Sequence, residues 1–97
     1  MMSLRRLLND LSGSITLATT YPPDEYPEDL PLTYEKHKAD IKQLWEDIRP
    51  RLKQDVGKIE VLDRQFDAMF AAFDVGNKKR GREVAWDLWN FPIRDLK

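Results

Sequence analysis

The chain has 97 residues, of which 34% are charged and 41% are hydrophobic. Its 16 basic and 17 acidic side chains leave a net charge of −1, so no overall field attracts it to nucleic acid or to an anionic membrane. The absence of cysteine excludes disulfides, thiolate metal sites and cysteine nucleophiles. No apolar run reaches the roughly 18 residues of a membrane span, and no signal-peptide pattern is present, so we expect a cytoplasmic protein without a membrane role.

A short amphipathic helix is predicted within residues 1–13. Ser3 can cap its start and Gly13 can end it. A helix of about two turns is marginal alone, so we expect it to dock on the rest of the chain. The side chains for that contact recur at helical spacing and are Leu4, Leu7, Leu8 and Leu11.

The next segment, residues 14–32, is predicted to be extended. Residues 14–20 have a strand-like composition, but the sequence offers no second strand, so no sheet is expected. Residues 21–31 then carry four prolines, four acidic residues and no basic residue, which is typical of extended or polyproline-like structure. Two interpretations stay open: an acidic linker that wraps the domain with its tyrosines packed down, or a docking peptide for another protein.

The strongest pattern is an apolar stripe that runs from residue 34 to residue 73 and stays within one sector of a helical wheel. Thr33 can cap its start, and Gly76 lies just beyond its end. One unbroken helix of this length would measure about 60 Å, whereas a compact chain of this size has a radius of gyration of about 13 Å. The stripe therefore predicts either a break near Arg49, with helices at about 34–49 and 50–74, or one long kinked helix covered by a partner subunit in a homo-oligomer.

Asp55 is the one carboxylate near the middle of this stripe. One interpretation makes it the cap of a helical turn that begins at Val56, which agrees with a break. The other makes it a buried polar group that sets the register between two subunits.

A last helix is predicted at about 77–90, with Asn77 as its N-cap and Pro92 beyond its end. The short link before it should turn this helix back, antiparallel, onto the preceding one. This helix has two apolar faces, whereas a helix at the surface of a domain needs only one, to pack against the core. Val84, Leu88 and Phe91 form the face expected in the core, and the face predicted to bind a partner consists of Trp86, Trp89 and Ile93. The alternative is that the N-terminal helix covers the two tryptophans.

A basic cluster opens the same helix and consists of Lys78, Lys79, Arg80 and Arg82. Positive charge at a helix start interacts unfavourably with the helix dipole, so we expect another contact to favour the cations at this position. One such contact is with phosphate or nucleic acid at the helix N-terminus. The alternatives are pairing with the acidic segment between residues 24 and 29, or simple solvation.

Catalytic chemistry is sparse. His37 is the only histidine, and only Asp40 stands at a spacing that could complete a metal or acid–base pair, so a packed histidine is expected. No nucleophile, phosphate-loop or zinc pattern is present, and we predict no enzyme, cofactor or metal.

Together these patterns predict an all-α small helical bundle in a single domain. The predicted function is a non-enzymatic protein–protein interaction module, such as an adaptor, an inhibitor or an assembly subunit. A binder of nucleic acid or nucleoprotein through the basic cluster is the alternative, and a purely structural homo-oligomer comes third.

Overall fold

The computed structural model describes residues 2–97, which form an all-α bundle, as predicted, and contain no β-strand. The described chain measures 38 × 25 × 18 Å, with a radius of gyration of 13.0 Å. None of its helices combines the length and the apolar character needed to cross a bilayer. The four α-helices are α1 (Leu4–Ala18), α2 (Tyr34–Ile48), α3 (Ile59–Asp74) and α4 (Lys78–Asn90), and 3₁₀ turns cover Arg49–Arg51, Val56–Lys58 and Ile93–Asp95.

Helix α1 is longer than predicted. It continues through Gly13 to Ala18, so the expected end at residue 13 and the extended structure expected for residues 14–20 are both wrong. The physical reason is that the apolar spacing continues: Leu11, Ile15 and Ala18 are all fully buried in the core. Burying such side chains contributes more than the roughly 1 kcal/mol that a glycine costs inside a helix.

The apolar stripe is broken where the sequence predicted a break. Helix α2 ends at Ile48, and Pro50 stands in the first positions of the following turn, where its missing N–H costs little. The next helix, however, begins at Ile59 and not at residue 50. Residues 53–55 lie between the two helices, and their backbone N–H groups donate to the Lys97 carbonyl oxygen at 2.9–3.2 Å.

Asp55 has a role that the sequence did not indicate. It precedes the turn at Val56–Lys58, but its carboxylate makes no capping hydrogen bond there. It accepts the Lys97 backbone N–H at 2.8 Å and pairs with the Lys58 ammonium at 3.2 Å. These two contacts lower the pKa of Asp55, with the backbone hydrogen bond as the larger cause. The carboxylate thus fixes residue 97 against the break between α2 and α3.

Helix α1 lies between α2 and α4, and α4 packs in turn against α3. Gly76, with a φ of 79°, makes the turn that brings α4 back onto α3. All four helices contribute to one apolar core, whose largest fully buried side chains include Leu8, Leu11, Ile15, Ile41, Ile48, Leu62, Met69, Phe73, Val84 and Leu88.

Residues 21–31 form a strap between α1 and α2. Pro22 is buried, while Tyr21 and Tyr26 are half-buried and lie with their ring centroids 5.8 Å apart. The strap thus wraps the helices with its tyrosines packed down, as the linker interpretation predicted.

Candidate protein-interaction surface

Trp86 and Trp89 lie exposed on the outer face of α4. Trp86 is 49% exposed and Trp89 is 46% exposed, whereas Val84 and Leu88 on the opposite face are buried. The two indole rings meet edge to face, with centroids 5.5 Å apart. This arrangement is a favoured geometry for aromatic pairs and holds both rings in place.

Ile93, the third residue of the predicted partner-binding face, does not belong to this surface. It is only 3% exposed and is part of the apolar core. The prediction assumed that the helical spacing of α4 continues to Ile93. In the structure α4 ends at Asn90 and Phe91 is already extended, so that spacing no longer applies. Phe91, predicted in the core, is partly buried and packs against it.

Helix α1 supplies the other half of the surface. The indole N–H of Trp89 donates to the Thr16 hydroxyl oxygen at 2.9 Å, which satisfies the only polar group of that side chain. Residues 11–23 contain no charged side chain, in a chain where a third of the residues are charged. We call Trp86, Trp89, Ser12 and Thr16 the tryptophan surface. The α1 side of this surface is therefore uncharged, whereas α4 carries the exposed Asp87 between the two tryptophans in sequence. Enrichment in aromatic residues is typical of an interface core.

A shallow hollow of about 330 Å³ lies beside Trp89, between α1 and the last turn of the chain. Ser12, Phe91 and Pro92 line it, together with the charged residues Arg94 and Asp95. The tryptophan surface therefore combines two projecting rings with an adjacent depression that can receive a side chain. Ser12 and Thr16 were missed because this stretch was predicted to end or leave the helix at residue 13, which hid its position beside α4.

The basic cluster contacts the strap. The Lys78 ammonium lies 3.0 Å from the Asp24 carboxylate and 2.8 Å from the Glu25 carboxylate. Arg82 pairs with Glu25 at 3.0 Å and donates to the Pro22 carbonyl oxygen at 3.3 Å. The contacts from Lys78 and Arg82 lower the pKa of Glu25, and the Glu25 and Asp24 carboxylates raise the pKa of Lys78.

These contacts explain why cations stand at the start of α4. The other two members of the cluster, Lys79 and Arg80, are exposed, and Arg80 lies 3.6 Å from Glu83. The structure thus pairs half of the cluster with the acidic segment, which is one of the interpretations that the sequence left open.

His37 is a packed histidine, as expected. It is 2% exposed, with Nδ1 2.6 Å from the Tyr26 hydroxyl and Nε2 2.9 Å from the Ser14 carbonyl oxygen. Burial lowers its pKa. Across residues 2–97 no cluster of three or more histidine or carboxylate side chains is placed to hold a metal ion.

A second cavity, which the sequence did not indicate, lies between α2 and α3 and has a volume of about 330 Å³. Asp63 lines it and accepts hydrogen bonds from the Trp45 indole at 2.6 Å and from Arg49 at 2.8 Å. The Trp45 and Phe66 rings pack 5.4 Å apart in the same wall. Asp63 thus joins α2 to α3 through two hydrogen bonds, while the buried Nε of Arg49 has no hydrogen-bond partner within the described residues.

Comparison with models of known protein families, with curated proteins and with solved structures gives no match.

Proposed function

We propose that the protein is a non-enzymatic protein-interaction module that binds a different protein through the tryptophan surface. The observation that carries the proposal is the pair of half-exposed tryptophans, held edge to face and anchored to Thr16. Tryptophan is among the residues that contribute most to binding at interfaces. An aromatic side chain buries on the order of 150–250 Å² in total, and about half of that remains for a partner to cover on each of these half-exposed rings.

The surface is suited to binding because it is already ordered. The Trp89 indole is fixed by its hydrogen bond to Thr16, and the Trp86 ring packs against it. Side chains that are ordered before binding lose less entropy when a partner arrives, which leaves more of the contact energy for affinity.

The absence of charge across residues 11–23 defines the chemistry of the partner. A charged group brought against this part of α1 would lose water and gain no opposite charge, which is costly. The partner is therefore expected to present an apolar patch with a side chain that fills the hollow beside Trp89.

A different protein is a better candidate partner than a second copy. The sequence argument for a homo-oligomer was an apolar stripe too long for one chain to cover. With the break after Ile48, most of that stripe is buried within the chain, where Ile41, Leu62 and Phe73 are all in the core, although Val56 is 55% exposed. The nucleic-acid alternative has less support, because Lys78 and Arg82 already pair with carboxylates and only Lys79 and Arg80 of the basic cluster are exposed.

Affinity capture from native lysate tests the proposal when it is made with three forms of the full chain. These are the wild type, the double variant Trp86→Ala/Trp89→Ala and the matched control Val61→Ala/Val75→Ala, which truncates two exposed apolar residues of α3 and its C-terminal end. We expect one stoichiometric protein that the wild type and the control retain and the tryptophan variant loses. Retention of that protein by the tryptophan variant, or the absence of any stoichiometric protein besides the bait, would contradict the proposal.

A further inference from the structure

We propose that the strap, residues 21–31, is held closed by neutral His37 and is released when that histidine takes up a proton. This inference concerns a different part of the molecule from the tryptophan surface and does not depend on the proposed function. It rests on how the strap is attached and on the three elements that meet at His37.

The strap is attached by side chains. Its backbone hydrogen bonds are local turns, such as Glu25 N–H to the Tyr21 carbonyl at 2.8 Å and Leu30 N–H to the Pro27 carbonyl at 3.1 Å. Within the described part of the chain, no backbone–backbone hydrogen bond joins residues 22–31 to a helix. A segment with so few backbone ties can open without unfolding the helices beneath it.

The polar side-chain attachment has two points, and the buried Pro22, whose carbonyl accepts from Arg82, adds a third contact. One is the ion-pair group in which Asp24 and Glu25 meet the cations at the start of α4. The other is Tyr26, whose hydroxyl lies 2.6 Å from His37 Nδ1 and whose ring stands edge-on to the histidine ring. Opening the strap removes both, which uncovers His37 and also frees Lys78 and Arg82.

The geometry at His37 selects the neutral ring. The Ser14 carbonyl of α1 can only accept, so the proton is on Nε2 and Nδ1 is the acceptor of the Tyr26 hydroxyl. A second proton on Nδ1 would require the Tyr26 hydroxyl to turn from donor to acceptor, and it would place a charge on a ring that is 2% exposed. The closed strap is therefore matched to one protonation state.

The groups that face His37 are few. Burial lowers the pKa of His37, while the Ser14 carbonyl and, from the same helix, the Asp40 carboxylate act in the opposite direction with smaller effects. From the strap, only Tyr26 faces the ring, and burial raises the pKa of that phenol, so its hydroxyl stays neutral. The net result is a closed-state pKa below the ordinary value of 6.5.

The pH effect follows from the difference between the pKa of His37 in the closed strap and its ordinary pKa. An uncovered His37 has an ordinary pKa, so the open strap binds a proton more tightly than the closed strap does. Opening is therefore favoured as the pH falls below about 6.5, by up to about tenfold per pH unit, until the closed-state pKa is reached. The ion pairs with Lys78 and Arg82 lower the pKa of Glu25, so this carboxylate stays charged across the same interval.

Hydrogen exchange of the full chain, followed residue by residue by NMR at about pH 7.5 and about pH 5.5, tests the proposal. After correction for intrinsic rates, the Glu25 and Leu30 amides should exchange faster than core amides such as that of Leu88 at both pH values. Their opening equilibrium should rise at the lower pH in the wild type, by up to about tenfold. In His37→Gln, which keeps a donor and an acceptor but cannot titrate, the rise should be absent.

Tyr26→Phe gives a second measurement if His37→Gln does not fold. Loss of the hydroxyl leaves Nδ1 without a donor, so the His37 pKa, read from its ring protons, should rise and the strap amides should exchange faster at both pH values. Three results would overturn the proposal: a wild-type His37 that titrates at 6.5 or above, strap amides that exchange at the rate of the core, or the same pH response in His37→Gln.

Discussion

Gly81 sets how closely α4 approaches α3. A Cβ atom at this position would lie 2.4 Å from two carbons of the Phe73 ring, which is itself buried. By contrast, a Cβ atom at Gly13, on the exposed side of α1, would meet nothing within 4 Å. A side chain at Gly81 would therefore disturb helix packing, whereas a side chain at Gly13 would not.

Gly81→Ala should destabilise the protein by about 1–3 kcal/mol, because overpacking against Phe73 outweighs the gain in helix propensity. The matched control, Gly13→Ala, should stabilise it by about 0.5–1 kcal/mol, since it gains propensity without a clash. Urea denaturation of the two variants measures both changes. Equal stabilisation by both substitutions would mean that α3 and α4 do not approach as closely as described.

Single residues were predictable where the deciding rule is local. Ser3, Thr33 and Asn77 were predicted as N-caps, and each accepts the backbone N–H three residues ahead at 3.2–3.3 Å. Ile93 was mispredicted because its position depends on where α4 stops. Asp55 was mispredicted because its partner, Lys97, is 42 residues away.

At the scale of elements, periodicity predicted the right helices with uncertain ends. The length of the stripe over residues 34–73, compared with the size of a compact chain, indicated a break, and Pro50 placed it near Arg49 because a proline restricts the residue before it. The end of α1 was mispredicted because Gly13 was expected to end the helix. The burial of Ile15 and Ala18, which extends the helix, depends on the packing of the whole molecule. The two-faced character of α4 is correct for the tryptophans.

The two faces of α4 should respond differently to truncation. Leu88→Ala should cost about 2–5 kcal/mol, the usual range for a buried leucine. Trp86→Ala should cost about 1 kcal/mol or less, because the ring is half-exposed and loses mainly its contact with Trp89. Chemical denaturation of both variants gives the comparison, and equal large losses would place Trp86 in the core.

At the scale of the whole molecule, the contacts that bring distant segments together were the least predictable. The sequence offered the pairing of the acidic segment with the basic cluster only as one of several alternatives. It gave no sign that Thr16 and Trp89 meet across α1 and α4, because those residues are 73 positions apart. Such contacts depend on how all four helices pack.

The isolated protein should be a monomer. Most of its apolar stripe is buried within one chain, and the described residues already form a body with the radius of gyration of 13.0 Å that compact chains of this length have. Sedimentation equilibrium at about 100 µM should therefore give the mass of one chain. A dimer under these conditions would show that a second copy covers part of the surface.

The most direct test of the tryptophan surface is the dissociation constant of the protein for the purified partner obtained by capture. Trp86→Ala should weaken binding by ~30-fold or more, equivalent to about 2 kcal/mol, while leaving the fold intact. Val75→Ala, which truncates an exposed residue outside the tryptophan surface, should leave the constant unchanged. An unchanged dissociation constant for Trp86→Ala, or an equal loss in both variants, would contradict the assignment of this surface.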